Sequence, residues 1–304
     1  MKELIPAIDR NILKKELGNN RFIKNTRKGG NEIYIINGNN SPNTMKEIGR
    51  LREITFRMAG GGTGNSIDVD NSDYGEYCYE QLIVWSPEDE EIIGGYRFIC
   101  CQKAIDKETN KAHLSTAHYF SFSEIFIKKY LPNTIELGRS WIQPSFQGTS
   151  NARKGLFALD NIWDGLGALI TLNPNMLYFF GKVTMYPSYN VECRDFLLHL
   201  MHYYFPDNES LMIPHNPIAQ DYNKDFFDKE LKGLNFNEGL KKLNSFVREK
   251  GEFIPPLMNI YMNLSPSMRT FGTALNSEFG NVEETGILVI INDIYPEKKE
   301  RHMS

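Results

Sequence analysis

Five charged residues sit inside otherwise apolar stretches of this sequence. Arg52 lies in LREITFRM, Asp73 just ahead of YCYEQLIVW, Arg97 in EIIGGYRFICC, and Glu136 and Arg139 in IELGRSWIQP. A charge inside an apolar element is costly unless it is paired and hydrogen-bonded. Two acids and three arginines of this kind point to one shared buried polar site. Such a site shifts the pKa values of its members, which is what a general base requires. A purely structural set of ion pairs accounts for the same residues, and both readings stand at this level. If residues 134–143 form a strand, its side chains alternate. Glu136, Gly138 and Ser140 then share one face, and Leu137, Arg139 and Trp141 the other.

The elements that must position these residues follow from periodicity and punctuation. Residues 1–17 predict an amphipathic helix, followed by the polar stretch NNRFIKNTRKGGN and a strand over 32–37. Residues 41–59 read as a second helix: Thr44 and Glu47 make a capping box, and Ile48, Leu51, Thr55 and Met58 a helical stripe. A Gly-rich loop at 60–64 leads into an acidic stretch ending at Asp73. Residues 77–86 and 91–102 predict two strands joined by the tight turn PEDEE. A helix is predicted over 122–131 and a strand over 134–143, stopped by Pro144. A long helix over 151–172, an aromatic-rich strand over 176–185 and a helix over 191–204 follow. Beyond them lie a helix at 237–250, an apolar segment at 253–266 and a strand at 286–292. No repeat or linker-like break interrupts the chain. The order predicts a single mixed α/β domain over 1–304, with an extension at 1–40, a core at 45–190 and a C-terminal half at 191–304.

Composition removes several classes. The 304 residues carry 34 Lys+Arg against 38 Asp+Glu, a net charge of −4, so non-specific nucleic-acid binding is not expected. Cys100 and Cys101 are adjacent and point apart on a strand, and no CxxC is present. Cys78, Cys100, Cys101 and Cys193 therefore read as reduced thiols of a cytoplasmic protein. The N-terminus lacks a signal-peptide core, and the apolar runs fall well short of the roughly 20 residues that span a bilayer. Peripheral contact with the inner face of a membrane stays open.

The series LRxxxF, an Asp before a strand, GxYRF, ELGRSWIQPSFQ, NIWDGL and FGKVTM resembles the N-acyltransferases of bacterial aminolipid synthesis. Those proteins make N-acyl amino-acid precursors of ornithine and glycine lipids and are often labelled hemolysin. The resemblance covers roughly residues 45–190, and PPLMNIYMNL adds to it. More distantly the framework resembles acyl-homoserine-lactone synthases, whose functional positions match Arg52, Phe56, Asp73, Arg97, Glu136 and Arg139. The resemblance implies a GNAT-like fold, a central mixed sheet flanked by helices with a C-terminal elaboration. It also implies transfer of a 3-hydroxyacyl chain from acyl carrier protein to the α-amine of glycine or ornithine, with no permanently bound cofactor.

That chemistry assigns expected roles. Glu136 takes the amine's proton, directly or through a water. A backbone N–H near Trp141 or Ile142, where two strands splay, holds the oxyanion. Arg97 or Arg139 grips the acceptor's carboxylate with a bidentate fork, and Asp73 orients the set. Tyr189, after the last core strand, stands where many GNAT enzymes place a general acid. The usual coenzyme A loop is degenerate here: in Gln147–Arg153 only Gly148 and small residues survive. A helix N-terminus can still bind the one phosphate of a carrier-protein phosphopantetheine, which favours carrier protein over coenzyme A. Arg153 and Lys154, with Lys182, are the expected basic docking patch for that acidic partner. Residues 163–169 and 176–180 are the expected acyl-tunnel lining.

The remaining signals are weaker. The 60–64 loop reads as a lid, because no strand precedes it as a dinucleotide site requires. Asp68, Asp70 and Asp73 have the wrong spacing for a calcium loop, and His199 and His202 lack a third ligand, so no metal is expected. Two rivals remain: a lactone-forming signal synthase, and a membrane-active hemolysin without catalysis.

Overall fold

The computed structural model describes the chain except residues 107, 148–154, 156, 221–223 and 303–304. The first helix, α1 (Arg10–Arg21), starts later than the charge pattern predicted, where Asp9 accepts the Asn11 N–H as its cap. The strands β1 (Phe22–Asn25) and β2 (Glu32–Ile36) pair as a hairpin. Helix α2 (Pro42–Met58) is capped from outside itself. The Glu16 carboxylate of α1 accepts the N–H groups of Asn43 at 3.1 Å and Thr44 at 2.7 Å. The expected Thr44–Glu47 box does not form, and Glu47 bonds Arg50 and the Ile8 N–H instead.

After the single turn α3 (Asn71–Tyr74), β3 (Glu80–Ser86) and β4 (Glu91–Cys100) form the expected hairpin. The helix expected at 122–131 forms over a shorter span: β5 (Phe120–Phe122) takes its start, the chain is helical from 124 with a wide turn at Phe126–Tyr130, and a tight turn at Leu131–Asn133 around Pro132 ends it. The chain continues through β6 (Thr134–Ile142), α4 (Ala158–Leu172), β7 (Tyr178–Met185) and α5 (Val191–Tyr204). It ends with β8 (Met212–Pro214), α6 (Lys224–Leu231), α7 (Phe236–Glu249), α8 (Pro256–Met262), β9 (Arg269–Asn276), β10 (Val282–Ile290) and α9 (Pro296–His302). No helix among the described residues is long and apolar enough to cross a membrane.

The main sheet has the order β1-β2-β3-β4-β6-β7-β10-β9. Its described pairs are antiparallel except β6–β7, which is parallel. One face carries Leu82, Tyr96, Phe98, Leu137, Phe179, Ile287 and Val289 into a core with α4, α5, α7 and α8. The opposite face carries Ile83, Trp85 and Trp141 against α1 and α2, and Ile99, Phe180 and Leu288 against the loop region around β5 and β8.

Two irregularities open this sheet. The β6–β7 pairing runs from Thr134↔Tyr178 to Leu137↔Gly181 and stops, although both strands continue. At the last pair a Cβ on residue 181 would stand 2.5 Å from the Leu137 carbonyl oxygen, so the glycine there is required by close approach. Beyond it the strands part. On the other edge of β6, Arg97 pairs with Gly138 and Gly95 with Trp141. Two residues, Arg139 and Ser140, thus oppose the single Tyr96, which is a β-bulge. The bulge overturns the simple alternation expected for 136–141. Trp141 returns to the Glu136 face, and Arg139, held at φ +49°, also directs its guanidinium to that side.

Candidate active site

A cavity of about 640 Å³ passes through the sheet at the place where β6 and β7 part. On the α2 face its walls include Asp70, Arg97, Ser115, Arg139, Lys182 and Glu284. On the α4–α8 face they include Leu137, Phe179, Leu257, Tyr261, Ile287 and Val289. The void is polar at one end and apolar at the other, joined by the gap between two strands.

Four of the five charged residues singled out in the sequence, Arg52, Asp73, Arg97 and Arg139, lie together in one ion-pair lattice on the α2 face. Arg52, wholly buried on α2, donates from Nε to Asp68 at 3.1 Å and from Nη1 to Asp73 at 3.3 Å. Arg97 contacts Asp70 at 2.8 Å and Asp73 at 3.4 Å, and Arg139 contacts Asp68 at 2.9 Å. The α3 turn fixes two of these acids, since Asp70 caps it and Asp73 accepts the Asp70 N–H in return. Burial raises the Asp68 carboxyl, but Arg139, Arg52 and Arg97 outweigh it and hold the group below its usual range. Asp70 is likewise raised by burial and pulled well down, mainly by Arg97. Burial also works against the Arg97 charge, and Asp73 and Asp70 more than restore it. Asp68 and Asp70, taken from the sequence only as a poor calcium pattern, are thus the partners of three arginines.

Glu136 sits apart from this lattice and does not line the cavity. Its Oε2 accepts the Tyr79 hydroxyl at 3.0 Å, and its Oε1 accepts the Ser115 hydroxyl at 2.7 Å and the Thr116 N–H at 3.2 Å. Burial raises its pKa, and the bonds from Ser115 and Tyr79 only partly oppose that. The Tyr79 phenol is in turn held well above its usual range by burial and by Glu136. Ser115 and Thr116 do face the void, so Ser115 stands between Glu136 and the cavity. Nothing in the sequence pattern marks Ser115, which lies on a short turn outside every periodic segment.

The other candidates fall at varied distances. Phe56 lines the cavity on the α2 side, and Phe279, which packs on it edge to face, lies under the Arg139 guanidinium. Trp141 is buried among residues of the α2 side and lies back in the ladder opposite Gly95. The Gln143 N–H donates to the Ile93 carbonyl at 2.9 Å, on the β4 side. Alternation along the strand then turns the Trp141 N–H to β4 as well, and the Ile142 N–H to the edge that faces the gap. Of the two amides expected to serve an oxyanion, Ile142 has the right orientation. Gln147 donates to the Ile142 carbonyl at 2.6 Å, at the outer end of the same edge. Gly148, Arg153 and Lys154 lie outside the described residues. Tyr189 does not line the cavity; its hydroxyl is buried in the α4–α8 core without a partner among the described residues, whereas Tyr186 does line the cavity. Residues 163–169 back the apolar arm through the Trp163–Tyr261 edge contact, and Phe179 and Phe180 line the cavity itself.

Two charged residues missed as site members complete the polar half. Lys182, expected at a docking surface, is inside the cavity, paired with Glu284 at 2.6 Å. Glu284 also accepts from Thr184 and Asn276, both at 3.0 Å. Burial lowers the Lys182 pKa despite Glu284, while Glu284 itself, raised by burial, is pulled down by Lys182. His199, considered for metal, pairs with Asp228 at 3.0 Å.

Residues 51–154 match the family described as Acetyltransferase (GNAT) domain. The chain is 51% identical over 303 residues to a glycine N(alpha)-acyltransferase of Phocaeicola vulgatus, covering all of this chain and 93% of that protein. It is 51% identical over 307 residues to a glycine N(alpha)-acyltransferase of Bacteroides thetaiotaomicron, covering all of this chain and 90% of that one. No solved structure matches the chain. With the split sheet, the buried carboxylate beside it and these full-length likenesses, the chain belongs to the GNAT-fold N-acyltransferases and is an acyltransferase acting on an amino-acid amine.

Proposed function

We propose that the protein transfers a 3-hydroxyacyl chain from acyl carrier protein to the α-amine of glycine, as a step of aminolipid synthesis on the cytoplasmic side of the membrane. The observation that carries this reading is the continuous cavity crossing the sheet through the β6–β7 gap, polar on one face and apolar on the other. The thioester lies in the gap, its chain in the apolar arm and the acceptor in the polar half. The amine attacks the thioester carbon, forming the C–N bond, and the C–S bond then breaks. The Ile142 N–H faces the developing oxyanion. The amine's proton passes to the Ser115 hydroxyl as that hydroxyl gives its own to Glu136, and it is returned to the departing sulfur. Glu136 suits this work because burial keeps its basicity above that of an ordinary carboxylate. The carrier protein as donor rests on the degenerate phosphate loop at 147–153, and glycine on the acceptor named for both relatives.

The test is mass spectrometry of lipids from cells expressing the protein, beside assays of the purified protein with matched acyl-carrier and acyl-coenzyme A thioesters. N-acylglycine made preferentially from the carrier thioester is expected. A product on another amino acid replaces glycine, equal use of both thioesters removes the carrier preference, and an acyl lactone from S-adenosylmethionine rejects the reading.

A further inference from the structure

The polar half of the cavity presents three cations, Arg97, Arg139 and Lys182, and they are not equivalent. Arg97 has two aspartates within 3.4 Å, and Arg139 has Asp68 at 2.9 Å and Asp70 at 3.8 Å. Their lattice, completed by Arg52, balances three guanidinium groups against three carboxylates. An anion bound at either arginine meets an aspartate on the same fork, and like charges that close repel. Among the described residues Lys182 pairs with one carboxylate, Glu284, and that carboxylate is shared with Thr184 and Asn276. An ammonium has three donors. Among the described residues, the Lys182 ammonium meets, besides the ion pair, the face of the Tyr119 ring, with its centroid 4.7 Å away. Arg139 and Arg97 add positive potential at the same point, and they contribute to lowering the Lys182 pKa after burial itself. Lys182 is also the first residue of β7 beyond the last β6–β7 pair. An acid anchored there has its α-substituent at the mouth of the gap.

We infer that Lys182 binds the carboxylate of the amino-acid acceptor and is the residue that selects an α-amino acid over a simple amine, with Glu284 positioning it. This inference rests on the amino-acid reading of the cavity. It reassigns the carboxylate grip expected at Arg97 or Arg139. The test compares glycine with glycinamide, which keeps the amine and lacks the carboxylate, in the wild-type protein and in Lys182→Met. A second variant, Lys182→Met with Glu284→Gln, avoids leaving a buried carboxylate unpaired. In both variants the ratio of kcat/KM for glycine over glycinamide should fall about 10- to 100-fold, chiefly through the KM for glycine. A ratio unchanged in the folded double variant, or equal losses on the two acceptors, overturns the assignment while glycine acylation by the wild type upholds the amino-acid reading. Wild-type protein that acylates neither acceptor with either thioester overturns that reading and this inference with it.

Discussion

The two sides of the split sheet solve opposite problems with the same strands. On the α2 side, β4, β6 and β7 present Arg97, Glu136 and Lys182; on the α4–α8 side the same strands present Phe98, Leu137 and Phe179. The polar side is held by paired charges, and losing one partner strands the other in a medium that solvates it poorly. The apolar side is held by packing, where a change in size is felt locally. A substitution on the first side should therefore act on chemistry or on the whole fold, and one on the second on which chain fits.

The strongest way to break this contrast is at Glu136. Glu136→Gln keeps size and loses basicity, and kcat should fall about 10²–10⁴-fold with the fold retained. Ser115→Ala should cost less, since a water can take the place of the hydroxyl. Because burial raises the Glu136 pKa, the wild-type kcat should rise with pH through that raised value, and the Gln variant should lose this limb. The native state also holds this proton more tightly than the unfolded chain does. Its contribution to stability is full below the unfolded carboxyl's pKa and is lost as pH rises through the folded value, a slope absent from the Gln variant. A folded Gln variant with near-normal kcat makes Glu136 structural.

Arg52 offers a comparable effect of another kind. It is fully buried and does not line the cavity, so Arg52→Met should destabilise by about 3–5 kcal/mol by leaving Asp68 and Asp73 short of a partner. Urea denaturation measures this, and a loss under 1 kcal/mol means the lattice is not needed for folding. On the other side of the sheet, Leu257→Trp fills part of the apolar arm. It should shift acyl-chain preference toward shorter chains by about tenfold in relative kcat/KM, with little change in melting temperature. An unchanged preference shows that the chain lies elsewhere. The smallest effect concerns recognition of the carrier protein. Reversing Arg153 and Lys154 to Glu should raise the KM for acyl carrier protein a few-fold, most at low salt, because such contacts act mainly on association and are screened. Equal effects on acyl-coenzyme A exclude a carrier-specific patch.

The sequence was most legible where a residue contradicts its surroundings. Arg52, Arg97, Glu136 and Arg139 stand out because each interrupts an apolar run; the three arginines converge on one set of aspartates, and Glu136 lies apart from them with Tyr79 and Ser115. What they converge with was less visible. Asp68 and Asp70 look like ordinary loop acids until the arginines reach them. Glu284 follows Glu283 in a pair that reads as solvent-facing, and only its register beside Thr184 on β7 shows it buried. The two faces assigned to 136–141 failed at Arg139 and Trp141, because periodicity assumes a regular strand and a bulge leaves no mark on a pattern this short. Strands β1 and β9 went unrecognised for a related reason: FIKN and RTFGTALN carry too few strongly apolar residues for alternation to show.

The parting of β6 and β7 also bears on how the protein is made. The pairs that complete the polar half join residues far apart in the chain, with Lys182 meeting Glu284 across 102 positions. At about 5–20 residues per second of synthesis, β7 emerges roughly 5–20 s before β10 can cover its free edge. During that interval a hydrophobic, aromatic strand lies open beside the short pairing with β6, a template for the wrong partner. The nascent chain is most exposed to misassembly just before its cavity closes, and the yield of active enzyme depends on what shields that edge while the last third of the polypeptide is still being added.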